Sequence, residues 1–247
     1  MLALSLLPTP KNRLLSALPA DSLAQLWPQL TPVDLAFRQV LHLPEKPITA
    51  VYFLETAWVS MIATLEDGDA AEVGVIGYEG VAGIPVILGS DHDDLEAMVQ
   101  CPGDALSIGT TALQEAMDAD RVLRHLLLRY VLVHHGQVAR TAACNGHHYT
   151  EQRLARWLLI AHDRSCGDDF PMTHELLGMM LAVRRAGVTV AAGSLQKAGL
   201  IRYERGRITI TDRAGLENVS CECYGVVRRA SDKFLSADDG GRSAYRR

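Results

Sequence analysis

No apolar run in this 247-residue chain is long enough to cross a bilayer. The best candidate, Leu126 to Val133, is interrupted by Arg129 and followed by His134 and His135. The start, Met1 to Leu7, is apolar but has no basic lead and is closed by Pro8 and Pro10, so it does not read as a secretory signal. These absences predict a cytoplasmic protein with no membrane partner. Five cysteines (Cys101, Cys144, Cys166, Cys221 and Cys223) are an odd number without a secretion signal, which predicts free thiols rather than a disulfide framework. There is no internal repeat and no low-complexity segment, although the tail from Ser236 to Arg247 is polar and reads as frayed.

What is present supports packed structure. Hydrophobic residues make up 48% of the chain and charged ones 21%, which argues against wholesale disorder, and the length suits two domains. The net charge of −5 divides unevenly. Residues 1–149 hold 8 basic and 17 acidic side chains, a balance of −9, whereas residues 150–247 hold 16 and 12, a balance of +4. An acidic sensing or contact domain joined to a basic, nucleic-acid-facing one has this asymmetry.

The hydrophobic period changes twice along the chain. Asn12 to Leu30 reads as one or two short helices, broken at Pro19 and ended at Pro28. From Val33 to Ile108 short strand-like segments follow, among them Val51–Leu54, Trp58–Leu65, Glu72–Ile76 and Ala97–Val99, with a hairpin tip at Glu66-Asp67-Gly68-Asp69. Strands at this spacing predict a β-sandwich or small barrel. Asp120 to Cys144 then reads as one long helix with Leu123, Leu127, Tyr130, Val131, His134 and Val138 on a single stripe. A second copy of the same helix in a two-fold dimer is the expected partner of that stripe, and a long core helix of a monomer is the alternative. A break at Asn145-Gly146 precedes an amphipathic helix over Glu151–Asp163.

The informative stretch is Thr173 to Ile210. Thr173 is placed to cap a helix carrying Leu176, Leu177, Met180 and Leu181, and a second helix begins at Arg184 and buries Val188, Ala191, Ala192 and Leu195. Two short helices with a tight join at Ala182-Val183 form a helix-turn-helix, whose second helix is free to enter a major groove. Leu200 to Ile210 follows as a β-hairpin wing with Arg205 and Arg207 flanking its tip. Arg184 and Arg185, in the first turn, point about 100° apart, so one can face base edges while the other faces backbone. Arg suits bidentate contact with guanine, and Thr189 suits a thymine methyl or a phosphate. The expected DNA contacts are therefore Thr173, Arg184, Arg185, Thr189, Lys197, Arg205 and Arg207.

The order of strand-rich domain, long helix and winged helix-turn-helix resembles the Crp/Fnr regulators, with the closest likeness in THELLGMMLAVRRAGVTVAAGSLQKAGLIRYERGRITI. The resemblance implies an α+β fold: a cupin-like double-stranded β-helix sensor over 1–118, a dimerisation helix over 119–145 and a winged helix-turn-helix DNA-binding domain over 146–247. It also implies a homodimer acting on double-stranded promoter DNA, with RNA polymerase as a further partner. Three departures matter. In cyclic-nucleotide members an Arg-Ser pair holds the cyclic phosphate, but here the Arg position falls on or near Asp93, and no Lys or Arg occurs between Lys46 and Arg121. A carboxylate repels a phosphate, so cAMP and cGMP are not expected ligands. The first cysteine is Cys101, so the N-terminal iron–sulfur cysteines are missing. In the reading helix the family's Glu and Arg positions fall on Ala186 and Val190, so its operator cannot be borrowed. Gly187 and Gly193 weaken that helix by roughly 1 kcal/mol each relative to Ala.

Other constellations read as plain. Cys144, His147 and His148 have metal-ligand chemistry, but adjacent histidines beside a glycine are ordinarily exposed. Cys221 and Cys223 fall on a predicted helix from Arg213 to Phe234, about 200° apart, so they cannot clasp one ion. His134-His135 could form a pH-sensitive contact, and His92-Asp93-Asp94 reads as a solvated acidic loop. No metal and no cofactor is expected. An enzyme is not expected either, because a cupin metalloenzyme needs a cluster of histidines with a carboxylate, and the barrel segment holds only His42 and His92. The rival to a DNA-binding regulator is a scaffold that engages proteins through its acidic N-terminal domain.

Overall fold

The computed structural model describes residues 9–165 and 167–236; Cys166, Met1 to Pro8 and the tail beyond Ser236 lie outside the described residues. Two short helices open the described residues, α1 (Arg13–Ser16) and α2 (Ala20–Leu26), separated at Pro19 as the sequence predicts. Asn12 caps α1, its Oδ1 accepting from the amides of Leu14 and Leu15, and its Nδ2 donates to the carbonyls of Leu54 and Gly80. One buried amide thus satisfies a helix start and pins it to the strands beneath.

Among the described residues, eight strands form the N-terminal domain: β1 (Thr31–Leu35), β2 (Val40–His42), β3 (Ala50–Leu54), β4 (Trp58–Thr64), β5 (Ala70–Ile76), β6 (Val81–Ala82), β7 (Glu96–Cys101) and β8 (Gly103–Gly109), with the short helix α3 (Ile84–Ile87) before β7. They make two antiparallel four-stranded sheets, ordered β1-β8-β3-β6 and β2-β7-β4-β5. This is the double-stranded β-helix. The predicted strands are present, and the acidic hairpin tip joins β4 to β5, with Thr64 opposite Ala70 and Gly68 at φ +88°. Leu54, Val59, Met61, Ile76, Val99 and Ala105 fill the space between the sheets.

After α4 (Thr110–Ala119) comes the long helix α5 (Arg121–His147), whose Asp120 cap accepts from the amide of Val122 at 2.8 Å. The stripe that the sequence assigned to a second copy faces inward instead. Leu123, Leu127 and Tyr130 join Leu14, Val81 and Leu113 in one core, Val131 is partly buried against it, and His134 and Val138 lie over Gly74 of β5. The barrel supplies the apolar surface that a monomeric reading of the helix left unassigned.

Helix α6 (Thr150–Arg164) leads into the C-terminal domain, followed by β9 (Asp169–Pro171), α7 (His174–Leu181), α8 (Arg185–Lys197), β10 (Ile201–Glu204), β11 (Arg207–Ile210), α9 (Arg213–Val219) and α10 (Cys223–Ser236). The helix expected from Arg213 to Phe234 is therefore two, interrupted at Ser220-Cys221-Glu222. The interruption removes the objection that Cys221 and Cys223 diverge around one helix axis. Trp58, Ile62 and Val75 of the barrel belong to the same core as Trp157 and Leu158 of α6 and Leu177 and Met180 of α7. The two domains share that core.

Candidate nucleic-acid interface

Helices α7 and α8 form the predicted pair, and the chain bends by 104° between them. The Thr173 hydroxyl accepts from the Leu176 amide at 3.1 Å, starting α7 where expected. Ala182 closes α7 in the left-handed conformation, φ +49°, and Gly178 makes the turn possible: a Cβ there would lie 2.9 Å from the Val183 carbonyl oxygen. Only a glycine accepts that approach.

Helix α8 buries Val188, Ala191, Ala192 and Leu195. Its other face is open: Arg185, Ala186, Thr189, Val190 and Lys197 are exposed, with the capping residue Arg184 exposed beside them. Val190, an apolar side chain in the middle of that face, is 75% exposed. The positive end of the helix dipole adds to the two guanidinium groups at its start. Arg184 and Arg185 also line a crevice of about 630 Å³ whose far wall is the β4–β5 hairpin, including Leu65 and Asp69.

The wing is a three-stranded antiparallel sheet, β10-β11-β9. Its tip is a two-residue turn with Arg205 at φ +51° and Gly206 at φ +77°, a backbone matched to a tight hairpin. Arg205 projects at the tip, exposed. Arg207 does not stand free: its Nε and Nη2 donate to Asp169 Oδ2 at 2.8 and 2.6 Å. Of the two wing arginines the sequence offered for phosphates, one is already engaged.

A contact the sequence reading missed joins these parts. The His174 ring stacks on Tyr203 of the wing, centroids 4.2 Å apart, and its Nδ1 lies 3.0 Å from the Thr189 hydroxyl of α8. Burial, with the Arg185 charge, holds His174 below the ordinary histidine value, which favours the neutral ring. The signal was thin: a histidine after a capping threonine has no distinctive pattern. Thr189 also bonds the Arg185 carbonyl at 3.0 Å, so its hydroxyl is used twice within the protein.

Comparison with known proteins agrees with this geometry. Residues 152–219 match the model of the Crp-like helix-turn-helix domain. That match spans α7, α8 and the wing. No curated protein matches the chain. Among solved structures, FixK2 from Bradyrhizobium japonicum is similar with a TM-score of 0.67 at 17% identity, covering 78% of this chain and 98% of that one. A transcriptional regulator of the Crp/Fnr family from Eubacterium rectale is similar with a TM-score of 0.66 at 16% identity, covering 82% and 94%. A CRP-family regulator from Thermus thermophilus gives 0.65 at 20% identity, covering 76% and 96%. The chain has the Crp/Fnr fold, with a β-rich N-terminal domain, a long helix and a Crp-like helix-turn-helix.

Proposed function

We propose that the protein is a homodimeric transcription regulator that reads promoter DNA with α8. The observation that carries this reading is the open face of α8, with Arg184 and Arg185 at its start and its apolar face used up in the core. Major-groove readers place the N-terminal residues of the second helix on base edges. Arg184 and Arg185 supply the guanine contact, and Val190 offers an apolar surface to a thymine methyl. Thr173, Lys197 and Arg205 sit around this face as backbone contacts, while Thr189 and Arg207 serve mainly to hold α8 and the wing in place.

The dimer contact belongs to the side of α5 turned away from the barrel. His125, Leu128, Leu132, His135, Ala139 and Ala142 are exposed there, spaced alternately three and four residues apart. That spacing is a coiled-coil seam, and a paired α5 would set two copies of α8 against successive major-groove faces about 34 Å apart. The sensor barrel is read as blind to cyclic nucleotides. Its interior is filled by apolar side chains, and Asp93, where a phosphate-holding arginine would be needed, lies 3.5 Å from His42 Nε2.

The test is fluorescence anisotropy on promoter fragments in competitor DNA. Arg184→Ala with Arg185→Ala abolishes specific binding while the dimer stays intact, each guanine contact being worth about 1–3 kcal/mol. Unchanged promoter affinity in the double variant overturns the reading.

A further inference from the structure

At the break between α9 and α10, four soft donor groups from two distant parts of the chain converge. Cys144 lies in the last turn of α5 and His148 is the residue that caps it, its amide donating to the Cys144 carbonyl at 3.0 Å. Cys221 and Cys223 come from the interruption that the sequence did not reveal. The Sγ atoms of Cys144 and Cys221 are 3.5 Å apart, Cys223 Sγ is 3.7 Å from His148 Nδ1, and all four donor atoms lie within 4.8 Å of one another. The three thiols are buried and form a small cluster of their own.

We propose that Cys144, His148, Cys221 and Cys223 bind a single thiophilic divalent cation, Zn²⁺ by preference. Three sulfurs and one imidazole nitrogen are a zinc donor set. With Zn–S of about 2.3 Å and Zn–N of about 2.0–2.1 Å, a tetrahedron separates its ligand atoms by roughly 3.4–3.8 Å. The two close pairs already have that separation, and the widest must close by about 1 Å. The outer groups fit as well. His148 Nε2 lies 3.2 Å from Glu222 Oε2, so a carboxylate orients the ring and leaves Nδ1 to the metal. Three thiolates around a divalent ion leave one net negative charge, and the buried guanidiniums of Arg153 and Arg156 lie within electrostatic reach of Cys144. Both arginines have an Nε with no hydrogen-bond partner in the protein.

Four protein ligands fill a tetrahedron and leave no open position, so the site is structural rather than catalytic. It ties the end of the long helix to the start of the last one, which packs back along α5. The assignment does not depend on DNA binding.

Cobalt substitution tests it on the reduced, full-length protein. After chelation and titration with Co²⁺, one equivalent binds per chain with the charge-transfer and d–d bands of a tetrahedral thiolate site, and three thiols lose reactivity. Zn²⁺ displaces the cobalt. Cys223→Ser weakens binding more than about a hundredfold, and Glu222→Gln weakens it about tenfold while keeping the same spectrum. The exposed neighbour serves as control, His147→Ala binding as the wild type does. If Cys223→Ser fails to fold, the wild-type titration decides alone. A folded, reduced wild type that takes up no cobalt with thiolate bands overturns the proposal, and so does one that oxidises to a Cys144–Cys221 disulfide and, once reduced again, still binds no ion.

Discussion

The indole Nε1 of Trp157 donates a 2.7 Å hydrogen bond to the carboxylate of Glu72, across the joint between the C-terminal domain and the barrel. Ser60 donates to the other oxygen of the same carboxylate, and Trp58 meets Trp157 edge-on with centroids 5.9 Å apart. A carboxylate has been buried at a domain seam among aromatic rings, where water cannot solvate its charge.

That burial pushes the Glu72 carboxyl up to about 7 from its ordinary 4.5, despite the two hydrogen bonds that favour the ion. The sign follows from linkage. Where the folded protein holds a proton that the unfolded chain has lost, stability falls with pH, so the contribution is intact below 4.5, declines above it and is gone near 7. Its size is about 3 kcal/mol. Glu72→Gln removes the charge: its amide oxygen still accepts from Trp157, and its amide nitrogen donates to the Ser60 hydroxyl instead of accepting from it. Denaturant titration should show the variant gaining on the wild type from pH 4.5 to 7 and holding a constant lead above. His134, held down to about 4 by burial, works in the opposite sense between pH 6.5 and 4, so the difference between the two proteins, not either curve alone, isolates Glu72. Parallel curves would remove Glu72 from the account.

Leu132 is 69% exposed at the centre of the outer face of α5. Leu132→Glu places like charges across a coiled-coil seam, and sedimentation should find a monomer with the wild-type circular dichroism spectrum. A dimer that survives the change does not use that face.

Gly178→Ala forces a methyl against the Val183 carbonyl, and that oxygen belongs to backbone that cannot step aside cheaply. The expected loss is about 1–3 kcal/mol of stability in the C-terminal domain, read by thermal melting. A loss below about 0.5 kcal/mol shows that the turn can widen.

The two wing arginines should separate in a salt titration of DNA affinity. Arg205→Ala removes a free cation and lowers the slope of log K against log salt by about 1. Arg207 is held by Asp169, so Arg207→Ala should leave the slope near the wild-type value while loosening the β11–β9 pairing. Equal slopes for the two variants would contradict the assigned roles.

Helix α8 was legible because Val188, Ala191, Ala192 and Leu195 repeat at helical spacing directly after a capped helix and before a turn-rich hairpin. The barrel was legible from strands punctuated by glycine and acidic turns. Helix α5 shows where such reading stops. It carries two apolar stripes, Leu123-Leu127-Tyr130 and Leu128-Leu132, and periodicity alone cannot say which one meets the barrel. The break at Cys221 was hidden for a different reason: Ser220-Cys221-Glu222 contains neither proline nor glycine, so nothing local interrupts a helical pattern. The Glu72–Trp157 contact joins residues 85 apart in sequence, beyond any local signal.

Because Trp58 and Trp157 close the same seam, the C-terminal domain cannot swing away from the barrel without wetting both indoles. Any motion that reorients α8 relative to the barrel must meet the cost of hydrating that seam, and it acquires a calorimetric fingerprint, a positive heat-capacity change proportional to the apolar surface uncovered. Intrinsic fluorescence would shift to the red in step with it, so the motion would report on itself without a label.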